Sequence, residues 1–563
     1  MRQAIGAIAI STFGLAVLLG PRPSYPQDQA PPATTTEPPA TTQGEAASSN
    51  TGSPAQTTVP AAQLPPVVVI TKPATGQKPK KVARKPSSGK AAAGPLVPSA
   101  TPEATNGTPA SGAASELAAK NATFNAARDN LLTQIGTSSY GFSQQAIQAL
   151  PQGTETPVDK VLLQAPGVTQ DSAASGDLHV RNEHANLQYR INGIILPDGV
   201  SGFGQVLETQ FVGSLSLVTG ALPAEYGYRT SGLVDIQTKS GSQDPGGSIG
   251  VYGGSQKTLT PSIEYGGTTG DTDYFFTGRY FTSDEGIENP TSSFTPIHDD
   301  TEQGRAFGYV STLLNPTTRL SFITGSSVQN FQIPNSPGQI PMFPAFGITN
   351  FNSSLLNENQ LEQNYYDVLA LQRKLGDADM QLAYFARYSD LHFTPDEVGD
   401  IIFNGVASNV ERQSFLNGIQ GDGSYKFNPT NTLRSGFFVS AERTAADSTS
   451  TVLPLDAAGN PIDAPFNVTD NVSKLGWLLG VYMQDEWKLT DTLTLNAGIR
   501  FDQMYQFVDA NQFSPRVNLV YRPFAGTAFH AGYARYFTPP PRSLQGLPTS
   551  PACRTRRSSP ASI

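Results

Sequence analysis

The segment LTLNAGIRFD, residues 493–502, decides the fold. Leu495, Ile499 and Phe501 occupy every second position, and mostly polar or small residues lie between them. This period of two predicts a β-strand with one apolar face. The segment has about ten residues, the length that a tilted strand needs to cross a bilayer, whereas strands in soluble proteins average about five or six. We therefore predict a membrane-spanning strand. A soluble β-sandwich shares the period and is the alternative.

The connections on either side of such segments alternate between short and long. An outer-membrane β-barrel has short turns at one end and long loops at the other. The short polar turns are residues 270–273, 315–317, 376–379, 428–431, 490–492 and 523–526. The long connections between them are residues 284–303, 329–364, 391–410, 444–474 and 506–513. Residues 241–541 are therefore predicted to form an antiparallel outer-membrane β-barrel, with about twelve strands because there are six turns.

The N-terminal end carries features of export. Arg2 precedes an apolar stretch over residues 4–19, and Pro21 ends it. A basic start followed by a short apolar run predicts a secretory signal peptide within residues 1–30. No clean small-x-small cleavage site precedes residue 30, so the cleavage point is not assigned. A buried N-terminal helix is the alternative.

Residues 31–115 are predicted to be a disordered linker. No aromatic residue occurs between residues 26 and 115, and such a Pro- and Thr-rich segment cannot bury enough apolar surface to fold. One β-prone strip interrupts it, which is suited to pairing with the sheet edge of a partner. A chance apolar cluster is the other interpretation. The strip consists of Val67, Val68, Val69, Ile70 and Thr71.

Residues 116–240 have the pattern of a compact α+β domain. Thr156 and Pro157 predict a helix start, with Thr156 as the cap, and the helix should run to about residue 164. Short strands are predicted at residues 178–181, 187–192, 215–218 and 232–238. The chain is therefore mainly β, with an α+β domain ahead of the barrel.

Composition and charge exclude several classes of function. The chain has 37 basic and 46 acidic residues, a net charge of 37 − 46 = −9, which argues against nucleic acid as the main partner. Cys553 is the single cysteine, so an internal disulfide or a cysteine zinc site is excluded. Charged residues make up only 15% of the chain, below the average of about 25% for soluble proteins.

No group of residues has the pattern of an active site or a metal site. His179 and His184 lack a third ligand at a suitable spacing. Asp485 and Glu486 are neighbours on a predicted strand, so their side chains should face opposite sides. The glycines at residues 246–250 are interpreted as turns and barrel bends. We predict no catalytic residue, no metal site and no cofactor.

Four motifs resemble TonB-dependent outer-membrane receptors, which have a plug domain inside a β-barrel. TPVDKVLLQAPGVTQD at residues 156–171 and LVTGALPAEYGYRTSGLVDIQTKSG at residues 217–241 are similar to plug segments. VYMQDEWKLTDTLTLNAGIRFDQ at residues 481–503 and FSPRVNLVYRPFAGTAFHAGYARYFTPP at residues 513–540 are similar to barrel strands of the family. VVVIT at residues 67–71 looks like the TonB box that lies ahead of the plug.

The resemblance implies a function. Receptors of this family import scarce nutrients, by default a ferric siderophore, with energy that TonB transmits from the inner membrane. It implies a protein of the bacterial outer membrane, with the linker in the periplasm. A passive or signalling receptor, and a soluble secreted carbohydrate-binding or hydrolytic β protein, are the alternatives. The ligand is not identified, although Phe331, Phe343, Phe346 and Phe351 in the loops either contact it or pack together.

The end of the chain departs from the family pattern. The family's barrel resembles the 22-stranded plugged transporters, of which this chain supplies about twelve strands. Residues 542–563 form an aberrant tail, with neither an amphipathic strand nor a terminal aromatic residue. A shifted reading frame or early stop would explain this, and the polypeptide would then be a non-functional fragment.

Overall fold

A computed structural model describes residues 112–133, 136–170, 177–184, 186–204, 206–506 and 508–539. Most of these residues lie in three β-sheets, of 13, five and three strands. Among them no helix is both long enough and apolar enough to cross a membrane. The predicted signal peptide, the linker strip at residues 67–71 and the tail at residues 542–563 lie outside the described residues.

The smaller sheets and the short helices form the plug. In the five-stranded sheet the order is β1-β7-β8-β5-β6, in which β5 and β8 are parallel, while the three-stranded sheet has the order β2-β3-β4. The helices are α1 Gly112–Leu131, α2 Gln144–Gln148 and α3 Val158–Leu162, with a 3₁₀ turn at Gly153–Glu155. The strands are β1 Thr137–Ser143, β2 Val168–Gln170, β3 Leu178–Val180, β4 Glu183–His184, β5 Leu187–Ile191, β6 Ile194–Leu196, β7 Val212–Gly220 and β8 Gly232–Thr238.

Several plug elements differ from their predicted bounds. Helix α3 starts at Val158 and ends at Leu162, and Pro157 rather than Thr156 occupies the cap position, with no capping hydrogen bond from a side chain. Strand β8 has the predicted bounds, whereas β7 extends beyond residues 215–218 in both directions because it pairs with both β1 and β8. Helix α1 and strand β1 were not predicted.

The large sheet is antiparallel, and each strand pairs with its neighbour in sequence. Its edge strands, β9 and β21, are not paired with each other among the described residues. The strands are β9 Gly246–Gly253, β10 Leu259–Thr269, β11 Thr272–Ser283, β12 Thr301–Asn315, β13 Thr318–Gln332, β14 Asn359–Leu375, β15 Ala378–Thr394, β16 Val406–Asn428, β17 Asn431–Val452, β18 Phe466–Lys488, β19 Leu493–Tyr505, β20 Asp509–Phe524 and β21 Thr527–Ala534.

All six predicted short turns connect hairpins at one end of this sheet, which we call the short-turn end. The opposite long-loop end carries helix α4, Glu397–Asn404, and a 3₁₀ turn at Ser353–Leu355. Several predicted bounds are wrong, because the strands extend further toward the long-loop end than predicted. The first four long connections are residues 284–300, 333–358, 395–405 and 453–465. Residues 246–250 form part of strand β9 rather than a turn, which raises the strand count to 13. The last long connection is shortened to residues 506–508, because β20 begins at Asp509.

The side chains of the large sheet have the burial pattern of a membrane barrel. On β19, Arg500 and Asp502 are buried, while Ile499 is 45% exposed. A soluble β-sandwich would bury the apolar face and expose the charged one, so the soluble alternative is excluded by this arrangement. The predicted outward orientation of the apolar side chains on β19 is confirmed.

Two aromatic residues on β18 mark the width of the apolar band. Trp477 and Trp487 are both half exposed and 487 − 477 = 10 residues apart. At about 3.4 Å per residue and a tilt of about 45°, this separation spans about 24 Å along the barrel axis. The apolar band between the aromatic girdles of outer-membrane barrels is about 25 Å tall. Between the two tryptophans, Val481 and Met483 are exposed.

Candidate functional site

The plug lies against the inner face of the large sheet, and its long motif is the centre of one contact region. Residues 221–231 connect β7 to β8 and meet the strands β18, β19 and β20. Arg516 on β20 is 1% exposed and donates to three plug carbonyls, those of Leu222 at 3.2 Å, of Pro223 at 2.5 Å and of Tyr226. All three carbonyls are contacted by Nη1, which has two hydrogens, so one N–H is shared between two buried acceptors of the plug.

Strand β19 adds an ion pair to the same region. The Nε of Arg500 lies 2.7 Å from the carboxylate of Asp502, and both residues are buried. The guanidinium also lies 4.7 Å from the ring centroid of Tyr228 in the plug. The plug motif thus contacts residues of both barrel motifs, which explains in physical terms why these segments occur together in one chain.

A second contact region is a cluster of four charged side chains, of which Glu208, Arg279 and Arg305 are buried and Glu155 is partly buried. Glu155 and Glu208 come from the plug, while Arg279 and Arg305 come from β11 and β12. Arg279 lies 3.0 Å from Glu155 and 3.6 Å from Glu208, and Arg305 lies 3.3 Å from Glu208. Two carboxylates balance two guanidiniums, so the cluster is neutral as a whole. Such a group is stable when complete, and it is costly to break one partner at a time.

Apolar contacts supplement these polar regions. The rings of Phe211 in the plug and Phe307 on β12 stack with centroids 3.9 Å apart. Phe203 in the plug meets Phe331 on β13 edge to face at 5.6 Å. The plug core therefore continues into the barrel wall. Phe331 is buried beside Phe203.

The plug segment nearest the long-loop end is bound by a single carboxylate. Glu362 on β14 is fully buried, and it accepts hydrogen bonds from the backbone N–H groups of Gly202, Phe203 and Gly204 at 2.9, 2.7 and 3.1 Å. Three successive N–H groups that point at one anion form a backbone nest. Hydrogen bonds to a charged acceptor are stronger than neutral ones, so this segment is firmly attached to the barrel.

Glu225 is a buried plug carboxyl near the short-turn end. It accepts from the backbone N–H of Thr133 at 2.5 Å and from the side chain of Gln484. Burial raises the pKa of Glu225 to about 8, although the positive charges of Arg434 and Arg190 oppose the shift. Thr133, two residues after the end of α1, is therefore joined to the plug and to the barrel through one carboxyl group.

A small cavity lies between the plug and the barrel wall. It has a volume of about 70 Å³ and is lined by Tyr228 and Arg229 of the plug and by Phe438, Leu478 and Met504 of the barrel. This volume holds about five water molecules. The cavity is too small to enclose a large chelate, and it would accept only one group of such a ligand.

The remaining residues singled out from the sequence have structural roles. His179 and His184 face each other across β3 and β4 with ring nitrogens 3.2 Å apart, and no group of three metal-binding side chains occurs in the described residues. Asp485 accepts from Asn431, whereas Glu486 pairs with Arg434 at 2.8 Å. The two acidic neighbours therefore have separate partners, as predicted from their alternation.

The loop phenylalanines also have partners. Phe351 meets Phe403 edge to face at 6.0 Å, and Phe343 packs with it in an apolar cluster at the long-loop end. Phe346 is 55% exposed. The predicted partner strip, Val67 to Thr71, and Cys553 lie outside the part of the chain that the structure describes.

In plugged β-barrels, a separate domain lies against the inner face of an antiparallel sheet whose outer face is apolar. The plug and the large sheet have this arrangement. Residues 335–557 match the family model described as TonB dependent receptor-like, beta-barrel. The matched segment is that of the family's barrel, and the fold is that of TonB-dependent receptors, as the resemblance of the motifs predicts. This is a family of outer-membrane transport receptors rather than of enzymes.

Solved structures share the fold. The pyoverdine outer membrane receptor FpvA from Pseudomonas aeruginosa PAO1, bound to pyoverdine, has a TM-score of 0.53 at 16% identity over 72% of this chain and 63% of its own. The ferric yersiniabactin uptake receptor FyuA from Yersinia pestis has a TM-score of 0.52 at 12% sequence identity. The match covers 69% of this chain and 62% of the receptor. The FrpB iron transporter from Neisseria meningitidis (F3-3 variant) has a TM-score of 0.54 at 12% sequence identity. The match covers 71% of this chain and 64% of the transporter.

The chain spans 62–64% of the length of these three solved structures. At this low identity the likeness shows the fold alone. Among curated proteins, none matches the sequence.

Proposed function

We propose that the protein imports a scarce nutrient across the outer membrane with energy transmitted by TonB, and that a ferric siderophore is the ligand. The observation that supports this most is the attachment of the plug. Ion pairs and arginine–carbonyl hydrogen bonds provide much of it, as at Arg279, Arg305 and Arg516. Water can replace polar contacts of this kind when the plug is displaced, so a pulled plug can move without leaving unpaired buried groups.

The chemistry of the ligand is proposed by analogy. The matched structures carry the names of receptors for pyoverdine and yersiniabactin and of an iron transporter. A ligand of this kind would bind on the long-loop side of the plug, near the segment held by Glu362, and one of its groups would enter the small cavity beside Tyr228. No covalent step is required, and no catalytic residue is proposed.

TonB is proposed to bind the strip formed by Val67, Val68, Val69, Ile70 and Thr71. An extended segment gains affinity from main-chain hydrogen bonds when it pairs with a sheet edge. The signal peptide within residues 1–30 would direct export, and the linker at residues 31–115 would then lie in the periplasm, at the short-turn end of the barrel.

The test is the replacement Val69→Pro in the full-length protein. Proline lacks the backbone N–H, and loss of one hydrogen bond worth about 1 kcal/mol weakens pairing about fivefold. We expect uptake of radioactive iron, bound to the siderophore that the host secretes under iron limitation, to fall by about that factor or more. Binding of the same complex to the cell surface should be unchanged.

Val69→Ile is the matched control, because it keeps the N–H and the β-branched side chain, and it should transport normally. Uptake by Val69→Pro at the level of the unaltered protein would refute the assignment of the strip. Accumulation that persists after the proton gradient is collapsed would instead indicate passive passage.

A further inference from the structure

Helix α1 contacts the rim of the barrel at its short-turn end. Asn121 donates to Asp273 at the start of β11 at 3.1 Å. Asn125 accepts from Arg319 at the start of β13 at 2.9 Å, and the carbonyl of Phe124 accepts from Gln372 near the end of β14 at 2.6 Å. These contacts come from the middle of the helix and reach three strands.

An apolar contact reinforces the same region. Phe124 is 1% exposed and packs with Leu117 and with Leu313 of β12. The guanidinium of Arg319 lies 5.3 Å from the centroid of the Phe124 ring, and the ammonium of Lys374 lies 6.0 Å from it. The phenylalanine is therefore buried between the helix and the barrel rim, under two cations.

The last turn of α1 and the residues after it make different contacts. Arg128 donates to Gln237 in strand β8 of the plug, and the N–H of Thr133 donates to Glu225. Near this end the carbonyl of Asn130 also accepts from Arg434 on β17 at 2.7 Å. A helix of 20 residues is about 30 Å long. It therefore extends along the short-turn end from β11 to β17. Its barrel contacts run from Asn121 to Asn130, whereas its plug contacts begin only at Arg128.

The order of the chain gives these contacts a mechanical consequence. The proposed TonB strip precedes α1, and α1 precedes the first plug strand, β1. Tension applied ahead of residue 112 reaches the contacts of Asn121 and Phe124 with the barrel before it reaches Arg128, Thr133 or β1. The barrel does not move with the pulled segment, so the first contacts oppose the pull directly.

We propose that α1 is a mechanical restraint that must detach from the barrel rim before force reaches the plug. A weak or brief pull would be borne by the barrel and would leave the plug in place. A sustained pull would release α1, beginning at its N-terminal side. The force would then act on the contacts of Arg128 with Gln237 and of Thr133 with Glu225 in the plug. The direction of the pull rests on the proposed function, whereas the order of rupture depends on the contacts of α1 alone.

The test is single-molecule pulling on the full-length protein in a supported bilayer, through a handle attached ahead of residue 112. Release of α1 converts a helix of about 30 Å into about 72 Å of extended chain. We expect a first rupture that lengthens the chain by about 40 Å, followed by separate and longer steps from the plug. A first step that already includes plug strands would overturn the proposal.

Two variants should alter the first rupture in different ways, one by lowering its force and the other by preventing it. Phe124→Ala removes the buried ring, so the first rupture force should fall while the later steps remain. Asn121→Cys with Asp273→Cys, joined by a reducible thiol cross-linker in a Cys553→Ser background, should abolish the first step until the linker is reduced.

Glu116→Gln is the matched control, because among the residues that the structure describes Glu116 forms its ion pair with Lys120, on the exposed side of the helix, at 2.8 Å. It should leave the first step unchanged. An unchanged first step in Phe124→Ala would also refute the proposal. The measurement uses neither ligand nor TonB, so its outcome is independent of the uptake assay with Val69→Pro.

Discussion

Replacing Glu208 by alanine is expected to weaken the attachment of the plug by about 3–5 kcal/mol, the usual cost of removing one partner from a buried ion pair. Glu208 is 4% exposed and lies between Arg279 and Arg305. Without it, one carboxylate, Glu155, remains for two buried guanidiniums. Hydrogen exchange of the β7 amides in the folded protein measures the effect, and exchange should accelerate by at least about a hundredfold.

The control is the same substitution at an exposed ion pair. Glu116→Ala removes a carboxylate that lies 2.8 Å from Lys120 at the surface of α1. Exposed pairs contribute little to stability, so exchange of the β7 amides should not change. Equal exchange rates in Glu208→Ala and the unaltered protein would show that the four-residue cluster does not hold the plug.

Replacing Val481 by arginine should destabilise the barrel by about 2–4 kcal/mol, the cost of an arginine at the bilayer midplane on the lipid side. Val481 is 53% exposed and lies between Trp477 and Trp487 on β18. These are the two tryptophans of the chain, and their fluorescence reports denaturant unfolding from phospholipid vesicles.

Thr469→Arg on the same strand is the matched control. Thr469 is exposed on the same side of the strand as Val481 but lies eight residues before Trp477, since 477 − 469 = 8, and therefore outside the band between the tryptophans. We expect its unfolding midpoint to match that of the unaltered protein. Equal destabilisation at both positions would contradict the placement of the bilayer.

The barrel could be predicted from the sequence because its two signals are local. Alternation along residues 493–502 and short turns such as residues 376–379 depend only on neighbouring residues. The structure departs from the prediction at β9, where Gly246, Gly247 and Gly250 give no apolar row. Pairing with β10, which no local pattern shows, makes this segment a strand.

Helix α1 was also not predicted, because its contacts are with residues that are distant in sequence. Its buried side includes Leu117, Phe124 and Leu131, but also the polar residues Asn121 and Arg128. The polar members of this stripe are buried because they meet Asp273 and Gln237, which are far away in sequence. Apolar periodicity alone is therefore too weak to reveal a helix that binds a polar rim.

The sequence predicts that the plug makes polar contacts with the barrel, but it does not predict which residues pair. Charged residues at inward positions of membrane strands, such as Arg279, Arg305 and Arg500, indicate that something polar occupies the lumen. Their partners cannot be read from the sequence, because Glu208 precedes Arg305 by 305 − 208 = 97 residues. The pairing arises from the way the plug sits in the barrel.

The orientation of strand β19 tests the account most directly. Single nitroxide labels at successive positions from Leu493 to Asp502, in a Cys553→Ser background folded into phospholipid vesicles, report collisions with oxygen dissolved in lipid and with a water-soluble nickel complex. We expect odd-numbered positions, among them Leu495, Ile499 and Phe501, to collide with oxygen, and the intervening positions to be shielded from it. Shielded odd positions with water-exposed even positions would contradict the account, because the apolar face would then line a closed core.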